Sequence, residues 1–101
     1  MQIQQGDVLI QAKAIPDAAK PKKGRTVAHG EHTGHHHTFA PDCDVELYES
    51  GDGTLYCRVV SEQATLTHQE HGPVTLPRGD YEIGRVLEYD YEANEARHVA
   101  D

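Results

Sequence analysis

Turn-forming residues break this chain every eight to twelve residues, and no helical pattern long enough for a βαβ unit appears. The breaks are Pro16 to Gly24, Thr33-Gly34, Pro41-Asp42, Ser50-Gly51-Asp52-Gly53, Gly72-Pro73 and Pro77-Arg78-Gly79-Asp80. Between them lie runs with strand character: Gly6 to about Ile15, Thr26–His29, His35–Ala40, Asp44–Glu49, Thr54–Ser61, Ala64–Thr67, Val74–Leu76 and Tyr81–Tyr89. Short strands at this spacing predict an all-β fold, a small single-domain sandwich or barrel of antiparallel strands. The runs flanking Ser50–Gly53 carry the clearest hairpin signal. After Asp90, residues Ala93, Ala96, Val99 and Ala100 fit one side of a short C-terminal helix, with a frayed tail as the alternative.

The chain has 101 residues, enough for one β domain over 1–101 and too few for an enzyme with its own cofactor domain. With 37% hydrophobic residues, no Trp and one Phe, the core must be modest and rest on aliphatic side chains and Tyr. No apolar run approaches the roughly 20 residues that cross a bilayer. The opening Met1-Gln2-Ile3-Gln4-Gln5-Gly6-Asp7 lacks the basic start and apolar stretch of a signal peptide, so a cytoplasmic location is expected.

A formal net charge of −8 sets the domain against nucleic acid, whose affinity comes largely from phosphate contacts. Lys13, Lys20, Lys22, Lys23 and Arg25 gather five of the nine positive charges in one stretch. A Pro-punctuated, solvated loop accounts for them; contact with a nucleic acid or acidic partner is the alternative. Arg78-Gly79-Asp80 spells an integrin-type tripeptide, but a turn that needs glycine explains it as well. Cys43 and Cys57 are not spaced as a redox or zinc pair. They alternate with apolar neighbours, Val45 and Leu47 for one, Leu55 and Val59 for the other, so both are expected reduced and facing the core.

Eight His in so short a chain point to a particular chemistry. His29, His32, His35, His36 and His37 crowd one segment; His68 and His71 flank Glu70; His98 stands apart as a surface residue. Residues two apart on a strand share a face, so His35 and His37 point the same way. A two-residue turn at Thr33-Gly34 would place His32 opposite His35 and Gly30 opposite His37, with His29, Glu31 and His36 on the other side. His68 and His71 lie three apart just before Gly72-Pro73, where a bulge or turn can bring both rings to one site. Neutral imidazole is the commonest protein ligand for divalent transition metals. The expected ligands are therefore His35, His37, His68 and His71, and the expected ion is zinc or another divalent transition metal. Four bound His would close the site as a structural one. Three plus water would leave it open to catalysis, with Glu70 or Glu31 as general base. A solvated His-rich loop is the ordinary alternative, and clustered His titrating between about pH 5 and 8 could instead switch an interface.

The sequence also resembles a group of small uncharacterised bacterial and phage proteins. The resemblance runs through Gln5 to Leu9, Gly30 to His37, Leu66 to His71, Leu76 to Tyr81, Arg85, Glu88-Tyr89 and Val99 to Asp101. Its pattern, Thr-Gly-His-x-His followed by His-x-Glu-His and Leu-Pro-x-Gly-x-Tyr, singles out His35, His37, His68, Glu70 and His71 and leaves His36 variable. It implies a site and no particular reaction. A weaker likeness to cupins rests on His35-x-His37, which matches the start of their metal motif, while the Glu spacing does not. Three functions follow as expectations. One is a small metal-binding β domain, another a non-catalytic homo-oligomeric interaction module, favoured by a thin core and long β edges. A cupin-type metal enzyme is the third.

Overall fold

The computed structural model describes residues 2–29, 35–85, 87–90 and 95–98. Its strands, in chain order, are β1 Gln2–Gln5, β2 Val8–Ala12, β3 Lys20–Lys22, β4 Thr26–His29 and β5 His36–Phe39. There follow β6 Val45–Glu49, β7 Leu55–Thr67, β8 Val74–Arg85, β9 Leu87–Asp90 and β10 Glu95–His98. Among the described residues there is no helix, and all pairings are antiparallel. The sheet runs β1-β2-β8-β7-β5-β4, with β6 on β7 and β3 on β6. The short C-terminal helix does not form over the described residues: Glu95–His98 pairs with Leu87–Asp90, and Ala96 sits opposite Tyr89. Ala93, Val99 and Ala100 lie outside the described residues.

Two long central strands organise the rest. β7 is one strand where the sequence suggests two, and β8 runs straight through Pro77–Asp80, where the sequence suggests a turn. The reason is a bulge. Val59 faces Gly79 and Gln63 faces Pro77, so residues 60–62 stand opposite Arg78 alone. Pro and Gly mark bulges as readily as turns. Gly79 has φ 152°, a conformation that side-chain-bearing residues avoid. Across the bulge the inward positions change parity: Cys57 and Val59 give way to Ala64 and Leu66 in β7, and Leu76 to Tyr81 and Ile83 in β8. The Arg78 Nε–H donates to Val60 O at 3.0 Å and Ser61 O at 3.4 Å, satisfying carbonyls that the ladder leaves behind. The bend lets the first part of β7 pair with β6 and its last residues with β5.

One core cluster draws on β2, β4, β5, β6, β7 and β8, with Ile10, Ala28, Phe39, Leu47, Leu66 and Ile83 among its members. The sheet therefore curls over to enclose a single interior. Cys43 and Cys57 are both buried and both free thiols.

The N-terminal run is also rearranged. Gly6-Asp7 is a two-residue turn joining β1 to β2, with Gln5 opposite Val8, rather than the start of a strand running to Ile15. Gly6 takes φ 56°, the left-handed conformation such hairpins require. Within the segment expected as a loop, Lys20–Lys22 adds a short outer strand with Pro21 opposite Tyr48. Pro fits there because an edge strand can spare its N–H. The β4–β5 hairpin forms, but its register places His29 opposite His36 and Ala28 opposite His37. This differs by two residues from a turn centred on Thr33-Gly34, so face assignments survive while Ala28, not Gly30, lies across from His37. The proposed His32–His35 pairing falls on a residue outside those described, as does Glu31.

Candidate metal centre

Three chain segments meet at one end of the β7–β8 hairpin. β5 carries His37 into the interior, where it is fully buried. The hairpin loop after Thr67 supplies His68 and His71. The Gly6-Asp7 turn brings up Gln5 and Asp7, both 2% exposed. Ring centroids lie 4.4 Å apart for His37 and His68, 4.7 Å for His68 and His71, 5.4 Å for His35 and His68, and 6.4 Å for His37 and His71. The four His expected as ligands thus form one group, from stretches more than thirty residues apart in the chain.

Hydrogen bonds fix the role of Nδ1 in two rings. The Gln5 amide donates from Nε2 to Leu66 O at 3.0 Å and to Gly72 O at 2.9 Å. Its Oε1 is therefore the acceptor that meets His37 Nδ1 at 2.8 Å, and His37 carries a proton on Nδ1. That outer hydrogen bond is of the kind that orients a metal-ligating His. Nε2 of His37 faces Asp7 Oδ1 at 3.5 Å. Asp7 Oδ2 is paired with the Arg85 guanidinium. His68 is in the opposite state. Its Nδ1 accepts from the backbone N–H groups of Glu70 at 3.0 Å and His71 at 3.2 Å, which holds the loop in shape. A neutral His68 then has its proton on Nε2.

His35 stands at the rim, its Nδ1 3.6 Å from Glu70 Oε1, with the Glu70 side chain 57% exposed. Glu70 is thus near the group but turned towards solvent. The His36 backbone N–H donates to Gln69 Oε1 at 2.9 Å, tying the start of β5 to the same loop. The side chains of His29 and His98 lie outside what the structure describes. Among the described residues, no three His, Cys, Asp or Glu side chains are arranged to hold a metal ion in the conformation shown.

Gln5, Asp7 and Arg85 are the members that spacing arguments miss, because they come from opposite ends of the chain. The available signal is a polar Gln5-Gly6-Asp7 set directly before the apolar Val8-Leu9-Ile10. Gly6 contributes by absence: a Cβ built on it would lie 2.6 Å from His71 Nε2.

Neither the curated proteins nor the solved structures contain a match to this chain. A family model described as a domain of unknown function, DUF8820, matches residues 4–86, which takes in Gln5, Asp7, Arg85 and all four of the grouped His. The chain belongs to that family, the DUF8820 domains.

Proposed function

We propose that this domain binds a divalent transition metal ion, zinc in the first instance, at the group formed by His35, His37, His68 and His71. The observation that carries the proposal is the convergence of four imidazoles and a buried carboxylate from three separate segments. His37 is fully buried and His35, His68 and His71 are half-buried around it, and polar rings withdrawn from water in this way have to be satisfied. The Nδ1 hydrogen bond of His37 and the spacing of His35–His37 and His68–His71 support the same site. Binding asks the rings to turn about their outer torsion, which is soft for His. An ion there would clip the β1–β2 turn, β5 and the β7–β8 loop together. Glu70 is the candidate base should the ion activate a water. Two free thiols suit a reducing compartment, which supports a cytoplasmic setting.

The test is elemental analysis of untagged protein, followed by zinc titration of metal-free protein. Stoichiometric zinc that is lost in His37→Ala and His71→Ala and kept in His98→Ala supports the reading. Equal metal content in all of them, or none in any, rejects it. A second reading, a homo-oligomeric interaction module without metal, is favoured by β1 and β4, which end the strand order of the main sheet. Size measurement in solution addresses it directly.

A further inference from the structure

β1 leaves one backbone edge open, and its register says which groups line it. The Gly6-Asp7 turn closes on Gln5 and Val8, so that pair exchanges both of its backbone hydrogen bonds. Pairing alternates from there: Ile3 and Ile10 are bonded again, whereas Gln4 with Leu9 and Gln2 with Gln11 are not. The far side of β2 agrees, because the Lys13 N–H, in phase with Leu9 and Gln11, donates to Asp80 O of β8 at 3.1 Å. The backbone N–H and C=O groups of Gln2 and Gln4 therefore point away from β2, and β1 ends the strand order of the sheet. Among the described residues no backbone group bonds them on that side. Other edges are defended. β3 carries Lys20, Pro21 and Lys22, whose charge and missing N–H discourage pairing. β4 is irregular, its register shifting between Thr26 and Ala28. β1 reads Gln2-Ile3-Gln4-Gln5, with neither charge nor proline.

We infer that β1 is the surface through which two copies of this chain join, edge to edge and antiparallel, about a two-fold axis at Ile3. The pairing rests on the homo-oligomeric reading above and needs no metal. Gln2 of one copy lies opposite Gln4 of the other, and each such pair exchanges both backbone hydrogen bonds. A register centred on either Gln would set the other outside the partner's β1 strand. Ile3 meets its own copy at a non-bonded position, where side chains come closest, about 4.5 Å between Cα atoms. It lies opposite Ile10 and packs, partly buried, on the core, so the contact extends the apolar interior. Charge selects the occupant. A chain of net charge −8 repels its own copies over most of its surface, and an uncharged edge is where two of them can approach.

So short an interface places the dimer in the weak class, with a dissociation constant in the micromolar range or above. Sedimentation equilibrium over a concentration series measures that constant for the natural chain, Gln4→Pro and Lys20→Gln. Gln4→Pro removes an N–H that β1 does not use within its own protomer. Dimerisation should weaken about tenfold or more, the loss of two interfacial hydrogen bonds, while Lys20→Gln on β3 stays within about twofold of the natural chain. Because proline can also distort the hairpin, two further measurements leave it unstrained. In the natural chain, the amides of Gln2 and Gln4 should gain protection from hydrogen exchange as protein concentration rises. On mild oxidation, Ile3→Cys should give a disulfide-linked dimer. Gln2→Cys should not, since its own copy lies about 8 Å away, beyond a disulfide's reach. Cys43 and Cys57 are buried and do not compete. A dimer unmoved by Gln4→Pro, or one that cross-links through Gln2→Cys and not Ile3→Cys, overturns the β1 interface and leaves the homo-oligomeric reading to another surface. A natural chain that stays monomeric throughout the series overturns both.

Discussion

Gln5 shows how much one buried side chain can settle. Its amide has three partners, Leu66 O, Gly72 O and His37 Nδ1, and only one orientation satisfies all of them. Gln5→Glu keeps the size but turns a second oxygen on two carbonyls. It should cost about 2–3 kcal/mol at pH 7, the penalty of buried polar groups left without partners, as measured by urea denaturation. Gly6 makes a second prediction. Gly6→Ala forces a side chain into a left-handed conformation and against the His71 ring. It should lose about 1 kcal/mol from the backbone alone, and more from the contact with His71; the thermal melt of the variant against the natural chain checks it. At this scale the sequence makes the imidazoles legible by their spacing. It leaves Asp7 and Arg85 dark, because nothing local says that a turn at the start of the chain and the end of β8 will meet His37.

The β7–β8 pair carries the lesson of elements. Period-two alternation is how a strand announces itself, and the bulge at residues 60–62 resets that alternation midway. A single long strand then reads as two short ones, and Pro77–Asp80 reads as a turn. The turn at Ser50–Gly53 is legible because its residues do what they do locally. Asp52 Oδ1 accepts from the Ser50 hydroxyl and from the Thr54 N–H at 3.0 Å, which holds the Asp52 carboxyl down at about 2. The bulge predicts its own weak points. Arg78→Ala removes the guanidinium from the carbonyls of Val60 and Ser61. About 1 kcal/mol should be lost, a partly exposed hydrogen bond's worth, and hydrogen exchange should speed up for amides of residues 59–64 before those of β2.

At the scale of the whole molecule the core holds a pH signature. Burial pushes the Cys57 thiol from 9.0 up to about 12, with Asp80 adding to the effect. The folded protein therefore keeps the proton where the unfolded chain gives it up. Stability from this group is complete below about pH 9 and falls as pH rises towards 12, by at most about 1.4 kcal/mol per pH unit for one proton. Urea denaturation of the natural chain and Cys57→Ala between pH 8 and about 10.5 should show a shallower decline in the variant, since the window lies between the two thiol values. Burial raises Tyr81 in the same direction, so some decline should remain. The metal reading makes a global prediction too. A chelator should lower the melting temperature and added zinc restore it, because binding energy to the folded site is folding energy. Identical melts with and without chelator would leave the His group as a metal-free polar network.

Turn chemistry, alternation and His spacing were enough to determine an antiparallel all-β chain, the β6–β7 hairpin, two core-facing thiols and the four His that belong together. These follow from interactions within a few residues, or from the rule that residues two apart on a strand share a face. Tertiary structure alone decided the β7–β8 bulge, the two-residue offset of the β4–β5 hairpin, the C-terminal strands and the approach of Asp7 and Arg85 to His37. Each depends on which strands become neighbours. Neighbours are chosen by how one curled sheet closes over its core, an energy shared among side chains scattered along the whole chain.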